Sequence, residues 1–235
     1  CWPSPGLVLV DVPACTRPLA YTGEALLREE LTMMAEVFAQ LKPSDPTTEL
    51  FFTSPSPGTV ALFMENTYYP SYTAYLDAIV DVLKREYEII AGTGVHLQID
   101  CPDLAMGRHT RFKDLDDEAF LGILDANVDA LNRALAGIAP ERCRIHVCWG
   151  NYPGTHHCDI DLEKILPRVM RINARFISLE ASNHRHAHEW KVFAKVPIPE
   201  DKVLLPGVID TTSTILEHPD LVAQRIVGFA NILGP

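Results

Sequence analysis

Apolar and polar residues along this chain follow two periods. Short apolar runs rich in β-branched residues are typical of buried strands, and they alternate with longer segments in which apolar residues recur every three or four positions, as on the buried face of a helix. The predicted strands are 7–12, 49–53, 95–100, 144–148, 176–180 and 203–210. The predicted helices are 24–41, 72–91, 116–136, 162–172, 189–196 and 219–233.

The regular alternation of strands and helices predicts a fold class. Such βα units, joined by right-handed crossovers, build a parallel sheet, so we expect an α/β protein. No glycine-rich phosphate-binding motif follows the first strand, which argues against a nucleotide-binding open sheet and favours a (β/α)8 TIM barrel. Two segments are predicted to be loops, the proline-rich 54–58 and residues 152–158.

Composition narrows the class of protein further. The chain has 235 residues, 47% of them hydrophobic and 22% charged, which predicts a single domain spanning 1–235. A formal net charge of -11 without a basic cluster argues against a nucleic-acid partner. No apolar run approaches the roughly 20 residues that span a bilayer, and none has the pattern of a signal peptide, so no membrane partner is expected. The 6 cysteines lack a framework spacing, which predicts a reducing, cytoplasmic location.

The chemically most informative segment is the strand that carries His146 and Cys148. Because side chains two residues apart on a strand project to the same face, about 7 Å apart, these residues form a pair of candidate metal ligands. Imidazole and thiolate together suit Zn2+, and the next predicted strand ends in Glu180, a third candidate ligand. The alternative is that the pair packs in the core, since buried cysteine usually behaves as a small hydrophobe.

Polar residues end several of the predicted strands. In a (β/α)8 barrel the chemistry lies at the carboxyl ends of the strands, and these ends converge on one rim. We therefore expect one site to be built from the residues that end the strands here, which are Asp100, His146, Cys148, Glu180 and Asp210.

Four blocks of the sequence resemble the cobalamin-independent methionine synthase family. They are LQIDCPDLAM (97–106), HVCWGNYPG (146–154), FISLEASN (176–183) and LLPGVIDTTS (204–213). The resemblance is to the short, single-barrel branch, which includes epoxyalkane:coenzyme M transferase-like enzymes. It implies a zinc-dependent barrel with His146, Cys148 and Glu180 as metal ligands and a further cysteine ligand beyond Pro235. The chain would then be a fragment that lacks the first strands and the last strand of the barrel.

The resemblance also implies a reaction. Zinc lowers the pKa of a substrate thiol, and the resulting thiolate attacks the alkyl carbon of a donor. The expected partners are therefore a small-molecule thiol and an alkyl donor. Asp100 matches the aspartate that holds the amino group of an amino-acid thiol, with loop capping as the alternative role. Asn151 and Asp210 are further candidates for substrate binding.

Two positions differ from the methionine synthase pattern. Cys101 stands where those enzymes usually carry glutamate, and Thr212 stands where they carry a proton-donating histidine. A threonine hydroxyl has too high a pKa to act as a general acid near pH 7, so His109 and His184 are the candidate acids. These differences argue against methyl-folate as the donor and leave thiol alkylation in general, including epoxide opening.

Other basic and histidine-rich segments leave alternatives open. Arg108 and Arg111 could bind the sulfonate or carboxylate of an anionic thiol, or could form a solvated basic loop. Segment 156–158 offers alternative metal ligands, whereas the histidines of 184–188 are predicted to form a loop near the substrate mouth. Two functions follow as hypotheses: a zinc-dependent thiol S-alkyltransferase, methionine synthase-like, that transfers either a methyl group or a carbon of an opened epoxide, and a non-catalytic zinc-binding barrel.

Overall fold

The computed structural model describes residues 13–41, 43–151 and 156–234. The predicted strand 7–12 and most of the predicted loop 152–158 lie outside these residues. Within the described part of the chain, no helix is both long and apolar enough to cross a membrane.

The described residues contain short strands, α-helices and a few 3-10 helices. The strands are β1 (Ala14–Cys15), β2 (Phe51–Pro55), β3 (Glu65–Asn66), β4 (His96–Cys101), β5 (Cys143–Val147), β6 (Phe176–Glu180) and β7 (Val203–Gly207). The α-helices are α1 (Glu24–Leu41), α2 (Pro57–Phe63), α3 (Tyr72–Gly92), α4 (Asp117–Ala134), α5 (Leu162–Val169) and α6 (Pro219–Leu233). The 3-10 helices are Pro102–Leu104, Met106–Arg108, Pro140–Arg142 and Glu189–Ala194.

The longer strands form one parallel sheet in the order β2-β4-β5-β6-β7. Right-handed crossovers between strands in chain order place the connecting helices on the same face, and α3, α4 and α5 accordingly contact one another in sequence. The separate pair β1 and β3 is also parallel. The predicted α/β class is confirmed, and the sheet has the strand order of a partial barrel.

The two faces of the sheet differ in polarity. Ile99, Ile145 and Ile177 are neighbours on β4, β5 and β6, and each is 0% exposed. Burying an isoleucine contributes roughly 1.5–3 kcal/mol, so this row is a substantial part of the core. Side chains alternate along a strand, which directs Asp100 and His146 to the opposite face. The sheet therefore presents its polar residues away from the helices.

The predicted loop 54–58 is wrong, because β2 continues to Pro55 and α2 begins at Pro57. Among the described strands β2 pairs with β4 alone, and the amide of Ser56 donates to the Asp100 carbonyl at 3.0 Å. Proline is tolerated at the first position of a helix, since a backbone N–H at that position would have no intrahelical acceptor. The Ser56 hydroxyl accepts from the Thr59 amide at 3.0 Å and caps the helix.

Most other boundaries differ from prediction by a few residues. Helices α1 and α6 and strand β6 have the predicted bounds. Strand β5 ends at Val147, so Cys148 lies just beyond it, and β7 ends at Gly207 rather than at Asp210. The predicted helix 189–196 is a 3-10 helix over Glu189–Ala194. These shifts place Cys148 and Asp210 in the segments that leave the strands, whereas Asp100, His146 and Glu180 lie within β4, β5 and β6.

Candidate active site

Asp100 and His146 form a pair on neighbouring strands. They are register partners on β4 and β5, and His146 Nδ1 lies 2.6 Å from Asp100 Oδ1. Their side chains are 40% and 37% exposed, respectively. When Nδ1–H donates to the carboxylate, Nε2 is the ring nitrogen left for a ligand, which is the usual arrangement of a metal-binding histidine.

Cys148 follows β5 and lies among acidic groups. The Gly150 amide donates to its Sγ at 3.2 Å, and Gly150 adopts a φ of 92°, which glycine tolerates without strain. Burial raises the pKa of the Cys148 thiol, the Gly150 hydrogen bond lowers it, and the charges of Asp100 and Glu180 raise it. Both carboxylates therefore act on this thiol, and a cation bound here would oppose their effect.

Glu180 is the last residue of β6, beside Cys148. Val147 is the register partner of Leu179, so the residues that follow them are adjacent on neighbouring strands. Glu180 Oε1 accepts hydrogen bonds from the Ser182 amide at 2.6 Å, the Ser182 hydroxyl at 3.0 Å and the Asn183 amide at 3.0 Å. The carboxylate is thus held at the sheet edge through one oxygen.

The three predicted metal ligands therefore lie at the carboxyl ends of two adjacent strands. Imidazole, thiolate and carboxylate are donors that zinc accepts, so the chemistry of this set fits the metal. Within residues 13–41, 43–151 and 156–234, no group of three or more His, Cys, Asp or Glu side chains has an arrangement that could hold a metal ion as it stands. Zinc binding at His146, Cys148 and Glu180 remains a prediction.

A buried network holds the end of β4, where Asp100 lies. Asp103 is 1% exposed, and its carboxylate accepts hydrogen bonds from the hydroxyls of Ser56 and Thr59 and from the Asn127 amide. Thr59 Oγ1 also lies 3.1 Å from the Asp100 carbonyl. Burial raises the pKa of Asp103, against hydrogen bonds that lower it. The network anchors the backbone of Asp100 and leaves its carboxylate for the site.

Two predicted substrate-binding residues lie in loops. Asp210 is 7% exposed, and its Oδ1 accepts from the Thr212 amide at 2.9 Å and the Thr212 hydroxyl at 2.6 Å. Its amide donates to Glu217 at 2.8 Å. Asn151 is exposed and follows Gly150 directly. In this structure Asp210 stabilises its own loop, and its role toward a substrate remains a prediction.

The two predicted arginines differ in their surroundings. Arg108 Nε donates to Asp117 Oδ1 at 2.9 Å, at the start of α4, and its side chain is 18% exposed. Arg111 is exposed. The charge of Arg108 is therefore engaged within the protein, whereas Arg111 is open to solvent.

The two candidate acids, His109 and His184, also differ in their exposure to solvent. The His109 side chain is 6% exposed, and its Nδ1 lies 2.7 Å from Asp159 Oδ1. His184 is exposed. Its charge contributes to the lowered pKa of Glu217, after the larger effects of hydrogen bonds from Arg225 and the Asp210 amide. Of the two, His184 is the one that solvent and a substrate can reach.

A buried cluster surrounds Asp159, and the sequence pattern did not predict it. His186 Nε2, His156 Nδ1 and His109 Nδ1 lie 2.9, 2.8 and 2.7 Å from its carboxylate oxygens. Burial would raise the pKa of Asp159, but hydrogen bonds from the three imidazoles outweigh it and hold the pKa well below its usual range. The spacing of His186 and Glu189, three residues apart, was the available signal, and nothing local marked Asp159.

The chain matches the family model described as "Cobalamin-independent synthase, Catalytic domain" over residues 6–234. The chain belongs to this family. The predicted family resemblance is therefore confirmed.

Individual relatives agree with this assignment. The 2-hydroxypropyl-CoM lyase of Xanthobacter autotrophicus is 30% identical over 127 residues, a match covering 43% of this chain and 34% of that protein. A solved structure of a B12-independent methionine synthase from Shewanella sp. W3-18-1, in complex with selenomethionine, matches with a TM-score of 0.67 at 17% identity. That match covers 92% of this chain and 57% of the solved chain, and it confirms the fold. The chain thus spans less than two thirds of the length of either relative.

Proposed function

We propose that this cobalamin-independent synthase family member is a zinc-dependent transferase that moves an alkyl group onto a small-molecule thiol. The observation that carries the proposal is the placement of His146, Cys148 and Glu180 at the same ends of adjacent parallel strands, with Asp100 2.6 Å from His146. The side chains of Asp100 and His146 are 40% and 37% exposed, so a substrate can reach this edge of the sheet.

In the proposed site each side chain has a separate task. His146 would bind the metal through Nε2 while Asp100 orients its ring, and Cys148 would bind as thiolate. Glu180 would bind through Oε2, because its Oε1 is occupied by backbone and hydroxyl donors. Bound zinc would lower the pKa of the substrate thiol and so favour its reactive thiolate form.

The remaining chemistry is positioning and proton transfer. The substrate sulfur forms a bond to the donor carbon while the bond from that carbon to its leaving atom breaks, and the electron pair of the broken bond goes to the leaving atom. With a methyl donor that atom departs with the rest of the donor, whereas with an epoxide it is the ring oxygen, which stays in the product. Arg111 is the exposed cation that we propose for an anionic thiol. When the donor is an epoxide, the ring oxygen takes up a proton, and the exposed His184 is the proposed source.

Between a methyl donor and an epoxide, two observations favour the epoxide. Thr212 cannot serve as the acid that the methionine synthase pattern supplies, and its hydroxyl donates to Asp210 at 2.6 Å. Cys101 is 0% exposed, and burial raises its pKa well above the usual thiol range, so it adds no charge at the position of the family's glutamate. The similarity to 2-hydroxypropyl-CoM lyase also favours an epoxide donor.

The decisive experiment combines metal analysis with a substrate screen of the full-length natural protein. Zinc is measured by mass spectrometry, and methyl-folate and short epoxides are each supplied with homocysteine or coenzyme M. We expect stoichiometric zinc and alkylation of a thiol by an epoxide. Efficient methionine formation from methyl-folate would replace the epoxide assignment, and zinc binding without any turnover would favour the non-catalytic alternative.

A further inference from the structure

The buried cluster around Asp159 joins segments that are distant in sequence. The Asp159 side chain is 0% exposed, and it contacts His109 after the Met106–Arg108 helix, His156 before α5, and His186 after β6. The mechanism proposed for the active site uses no member of this cluster.

His186 is the member fixed from most directions. Its Nε2 lies 2.9 Å from Asp159 and its Nδ1 lies 2.7 Å from Glu189 Oε2, and its side chain is 2% exposed. Glu189 is itself held, because its Oε1 accepts from the Leu162 amide at the start of α5 at 2.7 Å. An imidazole with an acceptor at each nitrogen has a single stable ring orientation.

The ring of His186 packs against the residue that follows Cys148. The ring centroids of His186 and Trp149 are 4.4 Å apart, and Trp149 is 2% exposed. Trp149 Nε1 donates to the Ile160 carbonyl at 2.9 Å, so the indole is held at its edge and on its face. Since residues 148 and 149 share a peptide bond, the position of this indole limits the position of the Cys148 thiol.

The backbone of His186 is connected to the other side of the site. Its amide donates to Asn183 Oδ1 at 2.8 Å, and the Asn183 amide donates to Glu180 Oε1 at 3.0 Å. One residue thus contacts both segments that bear predicted ligands, through Trp149 toward Cys148 and through Asn183 toward Glu180.

The charge of His186 strengthens this arrangement. Burial lowers its pKa, but hydrogen bonds to Asp159 and Glu189 outweigh burial and raise the pKa above its ordinary value. The groups that face it are those two carboxylates, with His109 and His156 on the far side of Asp159. A protonated imidazole against an indole face gains further attraction between the cation and the ring.

We propose that His186 is a positioning residue that sets the relative placement of Cys148 and Glu180, through Trp149 on one side and Asn183 on the other. The metal-related part of this role rests on the proposed function, whereas the contact with Trp149 does not. Asp159 and Glu189 act through His186 by fixing its ring and retaining its proton.

The first arm of the test does not depend on zinc or turnover. In full-length protein in which every tryptophan other than Trp149 is replaced by phenylalanine, Trp2 and Trp190 among them, Trp149 reports the cluster by fluorescence, because a protonated imidazole in contact quenches indole emission. We expect emission to rise with pH as His186 loses its proton, and His186→Gln to abolish that transition. The matched control is His188→Gln, an exposed histidine of the same loop, which should leave the transition unchanged.

The second arm measures zinc retention against a chelator in the same variants. Removing the support of a metal ligand commonly costs about 10–100-fold in affinity, and we expect a loss in that range for His186→Gln and none for His188→Gln. Glu189→Gln provides a second test if His186→Gln fails to fold, because the amide keeps an acceptor for the Leu162 amide. It should lower the midpoint of the fluorescence transition and weaken zinc retention.

The outcomes separate the two proposals. Loss of the fluorescence transition with unchanged zinc affinity in the His186 and Glu189 variants would overturn the positioning role and leave the proposed function intact. A wild-type protein that binds no zinc would overturn the proposed function together with the metal-related part of this role. A fluorescence transition that persists in His186→Gln would disprove the contact itself.

Discussion

Two carboxylate–imidazole pairs in this protein have similar geometry and different surroundings. Asp100 and His146 lie 2.6 Å apart with side chains 40% and 37% exposed, whereas Asp159 and His186 lie 2.9 Å apart with side chains 0% and 2% exposed. The exposed pair can exchange its hydrogen-bond partners for water or a ligand at little cost in free energy. The buried pair is satisfied by protein groups, and its removal from water makes an unpaired charge expensive. We therefore expect the same chemistry to serve ligand binding in one place and structure in the other.

The largest effect is expected at Cys148, the predicted ligand cysteine. Cys148→Ser should abolish stoichiometric zinc binding and thiol alkylation in the full-length protein, because serine is a poor substitute for a thiolate ligand. Metal content and turnover are measured together. Cys158→Ser is the control, and loss of zinc in that variant instead would make the loop cysteine the ligand.

The buried pair should control stability. Asp159→Asn removes the carboxylate that faces three imidazoles, and we expect a loss of about 3–5 kcal/mol in the free energy of unfolding, as for other broken buried pairs. Urea denaturation of this variant and of wild type measures the difference. A change below about 1 kcal/mol would show that the cluster is not a structural element of the fold.

The exposed pair should show the opposite pattern. Asp100→Asn should change the free energy of unfolding by less than about 1 kcal/mol, since half-exposed ion pairs contribute little. It should lower zinc affinity by about 10–100-fold through misorientation of His146. Equal stability losses for Asp100→Asn and Asp159→Asn would erase the distinction between the two pairs.

Stability should depend on pH through the buried pair. The lowered pKa of Asp159 contributes stability that is present above its unfolded pKa, about 3.9, and is lost as pH falls through the folded value. The raised pKa of His186 contributes stability that is present below about pH 6.5 and is lost as pH rises through the folded value. Thermal unfolding from about pH 2 to 9 should show stability falling at both the acid and the alkaline end of the range. In Asp159→Asn the fall at the acid end should be smaller.

The smallest effect is expected for an arginine already engaged within the protein. Arg108→Gln should change the KM for an anionic thiol less than about threefold, because its guanidinium is paired with Asp117. Arg111→Gln, at the exposed position, should raise that KM more by removing a favourable charge. Steady-state kinetics with coenzyme M test both variants. A larger effect for Arg108→Gln than for Arg111→Gln would indicate that Arg108 binds the substrate.

Local sequence patterns predicted some helices and strands correctly and others wrongly. The periodicity over 24–41 and the apolar run 176–180 predicted α1 and β6 with their observed bounds, because each depends on a face of buried residues close in sequence. The prolines at 55 and 57 led to a wrong loop prediction. Their effect depended on context: one ends a strand whose sole partner among the described strands is β4, and the other begins a helix where no N–H is needed.

The sequence by itself determined the α/β class, the family and which polar residues lie at or just beyond the strand ends, because these follow from local periodicity and from short blocks such as 146–154. The tertiary structure decided which of these residues meet. Strand register pairs Asp100 with His146 across 46 positions, and the fold brings His186 to Asp159 across 27. Register and packing depend on contacts between distant segments, and a local pattern carries no information about which distant partner a side chain will reach.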